Sequence, residues 1–498
     1  MTGRGCWRRS TIEWSISEGG SNSALFCWFP LGRHCATGGA RRVVTENSHL
    51  LPLRGCGSGL INGSAVKRLC TILILSAAVT VSGAEPSTLL LAAGRIAADA
   101  CDAEGETIGG IGSAIEVMPS GEIAMLSDRG AGDGTIDYRP RLQFFTMTRE
   151  DSKLDLQLAR TLVLRDSNSR AFTGLFPDVP AAEPPQRIDG RMCHDPEGLA
   201  VADNGHFFIA EEYQPSVREF DAAGKFVRRF PTPAGFVPRG SAGPDFAADE
   251  KDALVAGREP NRGFEGLALL PDGNLAVVLQ SGLVQDGGRE AGSTLLVVYD
   301  TESAEVAAIY LLPLADAAEL DASAPAGKKI KTRHLVVSSL AALPDGRLLA
   351  LERDNFGADG SDEHPPARWK AVVLLDLRRA DNLLGRADVS GAAPVQRTVL
   401  FNLAALDTAA HGLPRTEMPA KWEGLALTAI DGDRVRLLLS SDNDFLVPEL
   451  RLRRGEGEPT VVPFPRAART QDTWIIEVET LVPPLSASRN AVPSIIRT

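Results

Sequence analysis

The 498-residue sequence predicts an all-β fold in which pairs of hairpins repeat around a ring. Three observations predict it. One stretch recurs five times, with a Glu or Ser ahead of a short apolar run, a Gly-containing turn and a second apolar run. A second hairpin follows within several of these repeats. No run holds the 3.6-residue apolar periodicity of a helix.

Taken in order, the chain begins with two segments set apart from the ring. Residues 1–84 carry nine Lys+Arg and three Asp+Glu, whereas the rest carries 43 and 61, a balance of −18. Within "VKRLCTILILSAAVTVSGAEPS" a basic pair, Lys67 and Arg68, precedes an apolar run from Leu69 to Val81 and small residues at Ser82 and Ala84. That is the pattern of a secretory signal peptide over 66–84. About 13 apolar residues fall short of the roughly 20 needed to span a bilayer. Residues 1–65 lack apolar periodicity and read as an over-extended gene start or a disordered extension. The remainder is expected to be periplasmic or secreted, with no membrane span once the signal is cleaved. Residues 85–485 form the repeat domain and 486–498 a tail. Nothing in the residues sets an oligomeric state.

The repeats follow. Leading positions are Ser113, Glu197, Glu265, Ser338 and Glu423, each eight or nine residues before a turn Gly. Stretches such as "NRGFEGLALLPDGNLAVVLQSG" (261–282) and "HDPEGLAVADNGHFFIAEEYQ" (194–214) read strand, turn, strand, and return the chain to the end where it began. Glu265 and Gln280 are therefore predicted neighbours. "STLLVVYDTESAEVAAIYLLP" (293–313) and "SVREFDAAGKFVRRFPTP" (216–233) supply second hairpins. Four strands per unit, repeated, predict a single β-propeller. "TWIIEVETLVP" (473–483) and "STLLLAAGRIAA" (87–98) pair as a further unit, making six the expected count, with five or seven also compatible.

In such a ring the first strand of each unit lines the central channel, so leading residues and second-strand ends meet at one mouth. The predicted cluster comprises Asp128, Glu197, Glu212, Glu265, Glu352, Glu423 and Asp442, with Arg129, Arg262 and Arg353 among them. Asp195 and Asn261 add oxygen donors, although either also suits a turn before a strand. Crowded carboxylates repel one another unless arginines or a hard cation intervene, and Ca²⁺ takes about 6–8 oxygen ligands. The acids outnumber the arginines, which favours a metal.

At these residues the chain resembles the family described as having an esterase-like activity of phytase. "DPEGLA" (195–200), "EEYQPSVREFDAAGKFVRRFPTP" (211–233), "NRGFEGLALLPDG" (261–273) and "LERDNF" (351–356) carry the resemblance across nearly all of residues 100–480. It implies an exported propeller with a hydrolase-type activity. Phytase-like propellers bind calcium at an acidic channel mouth, and that expectation falls on the Glu and Asp positions above.

The expected chemistry is metal-assisted hydrolysis of a small-molecule phosphoester or ester. Glu197 and Glu265 are the candidate acid or base groups, and Arg129, Arg262 and Arg353 the candidate contacts to substrate oxygens. For each arginine the plainer role is partner to a neighbouring acid. The alternative for the whole protein is a non-catalytic periplasmic ligand-binding or scaffold propeller. Several classes are disfavoured. The acidic domain does not suit nucleic acid. No G-x-S-x-G elbow, zinc spacing, Walker loop or dinucleotide fingerprint occurs. Of seven cysteines only Cys101 and Cys193 lie beyond residue 84, and in an exported chain they are expected to form one disulfide.

Overall fold

The computed structural model describes residues 87–176, 187–247, 254–386, 389–453, 457–464 and 468–485. The predicted extension (1–65), the signal peptide (66–84) and the tail (486–498) lie outside the described residues. Among the described residues five antiparallel four-stranded units make up the ring, the first and fifth joined into one eight-stranded sheet through the parallel bridge Ala93↔Lys153. From the channel outward the first contains Ile111–Val117, Ile123–Ser127, Arg141–Glu150 and Lys153–Val163. The second contains Pro196–Val201, Phe207–Glu211, Ser216–Phe220 and Phe226–Phe230. Phe264–Leu269, Leu275–Leu279, Ser293–Tyr299 and Val306–Pro313 form the third, and Val336–Ala342, Leu348–Arg353, Lys370–Asp376 and Gln396–Asn402 the fourth. The fifth is composite: Trp422–Asp431 and Arg434–Ser441 are followed outward by Thr473–Leu481 and then by Thr88–Ile96 from the other end of the chain.

The ring therefore closes with five units, one of the counts the sequence left open, and not six. The strands 473–481 and 88–96 do pair, antiparallel through Thr88↔Thr480 to Ile96↔Thr473. They do not stand alone, because the hairpin 422–441 has no outer pair of its own. Ser440↔Ile475 through Arg434↔Leu481 places Thr473–Leu481 directly on its free edge. Stitching the last sheet from both ends of the ring commits the closing strands to one cooperative unit.

Each second strand is almost wholly buried, for example Leu275–Leu279 and Phe207–Glu211, because it lies between two neighbouring sheets. Apolar clusters fill the wedges between sheets: Leu267, Val277 and Phe230 in one, Leu340, Ala350 and Val298 in the next, Leu351, Leu425 and Leu437 in a third. These side chains bring roughly 1.5–3 kcal/mol each on full burial, which is what holds the wedge geometry.

Every inner strand carries the same irregularity. The ladder slips between Ile111 and Ala114, Pro196 and Gly198, Phe264 and Leu267, Val337 and Ser339, and Trp422 and Gly424. A bulge leaves a residue unpaired and re-aims its side chain. The residues so freed include all five leading positions: Ser113, Glu197, Glu265, Ser338 and Glu423. The Gly after each Glu has its own cause. A Cβ on Gly198 would meet the carbonyl oxygen of Glu265 at 2.1 Å, and one on Gly266 the backbone of Ser339 at 2.4 Å. Neighbouring inner strands approach too closely there for any side chain, so Glu-Gly reads as bulge followed by close approach.

Candidate functional site

Two residues per unit face the mouth, and strand pairing identifies them. The leading residue is one. The other is the residue just past the partner of the last residue paired before the slip: Asp128 beyond Ser127, Glu212 beyond Glu211, Gln280 beyond Leu279, Arg353 beyond Glu352 and Asp442 beyond Ser441. Gln280 Nε2 donates to Glu265 Oε1, as the hairpin geometry predicts. Ser113 Oγ donates to Asp442 Oδ2 across the seam between the first and fifth units at 3.3 Å.

Glu352 does not join this cluster, and the sequence placement of it at the mouth is corrected. It pairs with Val337, so it stands where Glu211 stands, and alternation turns it away from the channel. Its carboxylate accepts from the Ala315 N–H at 2.9 Å and Trp369 Nε1 at 2.8 Å, and it contacts Arg397 at 2.9 Å. Glu211 is spent likewise, accepting from the N–H groups of Asp195, Tyr213 and Gln214 and from Arg218.

The expected disulfide is also corrected. Cys101 and Cys193 are both free thiols, the first exposed and the second buried. Cys101 bridges to Thr107 at a turn, whereas Cys193 is held beside Thr173. Burial first, then the Glu211 carboxylate, pushes the Cys193 thiol up to about 12, which keeps it protonated.

The remaining predicted residues converge as two acidic groups. Asp195, Glu197 and Glu212 offer oxygens that all lie within 4.8 Å of one another. Asp128, Asp442 and Asp444 do the same within 4.8 Å. Asp444 and Lys421 are additions the sequence reading missed. Lys421 Nζ donates to Asp444 Oδ1 at 2.6 Å, so the second group has its own cation. Lys421 stands two residues before Glu423, as Asp195 stands two before Glu197, and that shared offset was the signal available.

The first group is less compensated. Arg129 donates to Asp195 through its backbone N–H at 3.1 Å and through Nη1 at 2.6 Å, and lies 3.7 Å from Glu212. Nη1 also donates to Asn261 Oδ1. Arg353 is bound to Glu423 and to Asn355. Glu197, Glu212 and Glu265 are left with little: Glu212 Oε1 and Glu265 Oε2 are buried without a hydrogen-bond partner. Burial and then Glu265 raise the Glu197 carboxyl well above the carboxylate range. Burial, Glu212 and Glu423 do the same to Glu265. Glu212 rises to about 7 through burial and Asp195. In the second group burial, with Asp442 for Asp128 and Asp444 for Asp442, lifts both acids well above their usual range.

Beside the acids, on the side of the third to fifth units, opens a cavity of about 220 Å³ lined by Asn261, Arg262, Gln280, Arg353, Asn355, Lys421 and Gln471 among others. Arg262 has no hydrogen bond or ion pair among the described residues. Burial, then repulsion from Arg289 and Arg353, lowers its pKa to about 10, so it stays charged at neutral pH.

The fold and this site define a five-unit β-propeller with an acidic channel mouth. A sequence profile of the family described as "Phytase-like: Esterase-like activity of phytase" matches residues 106–445, and the chain belongs to that family. An uncharacterized secreted protein of Arthroderma benhamiae is 27% identical over 453 residues, covering 72% of this chain and 87% of its own. Similar solved structures include a PQQ-bound aldose sugar dehydrogenase from Streptomyces coelicolor, 12% identical over 79% of this chain and 98% of that one, with a TM-score of 0.29. Virginiamycin B lyase from Staphylococcus aureus is 8% identical over 75% and 95% of the two chains, with a TM-score of 0.28.

Proposed function

We propose that the channel mouth is a cation-supported hydrolytic site for a small-molecule ester or phosphoester, in a protein that is exported to the periplasm or secreted. One observation carries this reading: Asp195, Glu197 and Glu212 converge within 4.8 Å, and Glu212 retains a buried oxygen with no partner. Among the described residues Arg129 is the one guanidinium in contact with any of these three carboxylates, the more distant Arg258 and Arg262 do not bring Glu212 back to its usual range, and Glu265 adds a fourth acid nearby. An all-oxygen donor set suits a hard divalent cation, and calcium is the expected one. Asp195, Glu197 and Glu212 would hold it. Bound there, it supplies positive charge that polarises an ester or phosphoryl oxygen.

The chain's own residues do the rest. Arg129 fixes Asp195 by two hydrogen bonds and so sets the spacing of the donors. Glu265, oriented by Gln280, holds a proton more tightly than an ordinary carboxyl because of its burial and of Glu212, and would give it to a leaving oxygen. Export is supported by the secreted relative. Among the described residues no helix is long and apolar enough to cross a membrane.

The test is hydrolysis of aryl phosphates and aryl esters by chelator-treated protein to which calcium is returned. Calcium-dependent turnover that Glu265→Gln lowers at least a hundredfold, with calcium binding retained, is the expected result. Absence of turnover on both ester classes at saturating calcium would leave a binding propeller.

A further inference from the structure

The mouth is divided. Its carboxylates of the first and second units face a cavity whose polar lining, from the third to fifth units, is rich in cations and amides. Arg262, Arg353 and Lys421 contribute to that lining with Asn261, Asn355 and Gln280, against two carboxylates, Asp359 and the Lys421-bound Asp444. Two of the three cations already hold acids, Arg353 on Glu423 and Lys421 on Asp444. Arg262 holds none among the described residues, and Arg353 keeps a buried Nε with no partner. A buried guanidinium that no acid contacts, although Glu212 and Glu265 attract it from a distance, is beside further donors a binding feature that the fold itself leaves unused.

We propose that this cavity is an oxyanion-binding subsite, and that its affinity for a phosphate or carboxylate group is linked to occupancy of the neighbouring carboxylates by a cation. The inference rests on the cation reading above and extends it. Its physical basis is charge balance. Asp128, Asp195, Glu197, Glu212, Glu265, Glu423, Asp442 and Asp444 surround the mouth, against Arg129, Arg258, Arg262, Arg353 and Lys421. With the acids ionised, an incoming anion meets net negative charge, and Glu212 and Glu265 attract the Arg262 guanidinium toward themselves. A divalent cation on Asp195, Glu197 and Glu212 offsets that charge and leaves Arg262 for the anion. Linkage is reciprocal, so the anion must tighten the cation by the same factor. A volume of about 220 Å³ admits one such group with the remainder of its molecule outside.

Isothermal titration of the full chain with inorganic phosphate, at submillimolar calcium and again after chelation, tests this. Phosphate is expected to bind at least tenfold more tightly with calcium present, and calcium tenfold more tightly with phosphate present. Arg262→Gln is expected to abolish phosphate binding while calcium titrated alone binds within threefold of wild type. Arg262→Lys, which keeps the charge, should retain part of the phosphate affinity and guards against a folding defect in the Gln variant. An acetate arm separates the sources: acetate binding as tightly as phosphate assigns the subsite to carboxylates, and weaker acetate binding assigns it to phosphoryl groups. Phosphate affinity that is indifferent to calcium, or unaltered in Arg262→Gln, overturns the proposal while leaving the cation site standing. Failure of calcium to bind alone would instead strike the underlying reading.

Discussion

Two buried clusters of charge in this molecule are built from the same residue types and behave in opposite ways. On the flank of the first unit, Arg141 Nη1 lies 2.5 Å from Asp102 and 2.9 Å from Glu106, and Arg139 also binds Glu106. Asp102 accepts the N–H groups of Glu104 and Glu106, and Glu106 that of Arg453. Burial pushes Glu106 up, but Arg141, Arg453 and Arg139 outweigh it and its pKa ends lowered. At the channel mouth burial wins, and Asp128, Glu197, Glu265 and Asp442 all end well above their usual range. The flank cluster satisfies both of its carboxylates within the chain, although Arg141 Nη2 and Arg139 Nε are left without a hydrogen-bond partner, and it serves the fold. The mouth is incomplete, and its carboxylates need something from outside, whether protons or a cation.

Breaking the complete cluster should have the largest effect. Arg141→Met removes the guanidinium that Asp102 and Glu106 share, leaves Asp102 buried with N–H donors but no ion-pair partner, and is expected to lower stability by about 3–5 kcal/mol, read in urea unfolding. The calcium response of the folded protein should survive.

The incomplete cluster gives the comparison its pH signature. Glu212 is raised from 4.5 to about 7, so the folded state holds its proton more tightly than the unfolded chain. Stability from this group is full below pH 4.5 and falls as pH rises toward 7, by roughly 3 kcal/mol from the size of the shift. Chelated protein should therefore melt at lower temperature at pH 8 than at pH 5. Saturating calcium should flatten that slope. A chelated melting temperature that rises over this interval would mean that the mouth acids are neutralised internally.

Smaller effects sharpen the contrast between neighbouring glutamates. Glu352→Gln disturbs a carboxylate already satisfied by Ala315, Trp369 and Arg397, and should cost about 1–3 kcal/mol without altering calcium binding. Glu197→Gln should do the reverse. In chelated protein at pH 8 it relieves repulsion and raises stability by about 1 kcal/mol, while weakening calcium binding at least tenfold.

The same pair shows how far the sequence was legible. Recurrence of a Glu or Ser ahead of a short apolar run and a turn Gly located the units and the channel face without pairing information, and in three of the five the Glu-Gly step records bulge and close approach in residue type. The second strands carry polar pairs, Glu211-Glu212 and Glu352-Arg353, and composition alone does not say which member faces inward. That depends on a one-residue register fixed by the partner strand. Glu352 was misplaced for this reason, whereas Glu212 and Arg353 were found. The unit count failed differently: the two terminal strands were recognised, but nothing local shows that the hairpin 422–441 lacks outer strands. Cys101 and Cys193 were paired by count alone, and count carries no geometry.

The most direct measurement of the central claim is a thermal melt of chelated protein with and without millimolar calcium, beside the Glu197→Gln/Glu265→Gln double variant. The account predicts a calcium-dependent rise of several degrees in the wild type that the double variant loses, together with a higher melting temperature for the metal-free variant than for metal-free wild type. A wild-type melt indifferent to calcium, or an equal calcium shift in the variant, would contradict it.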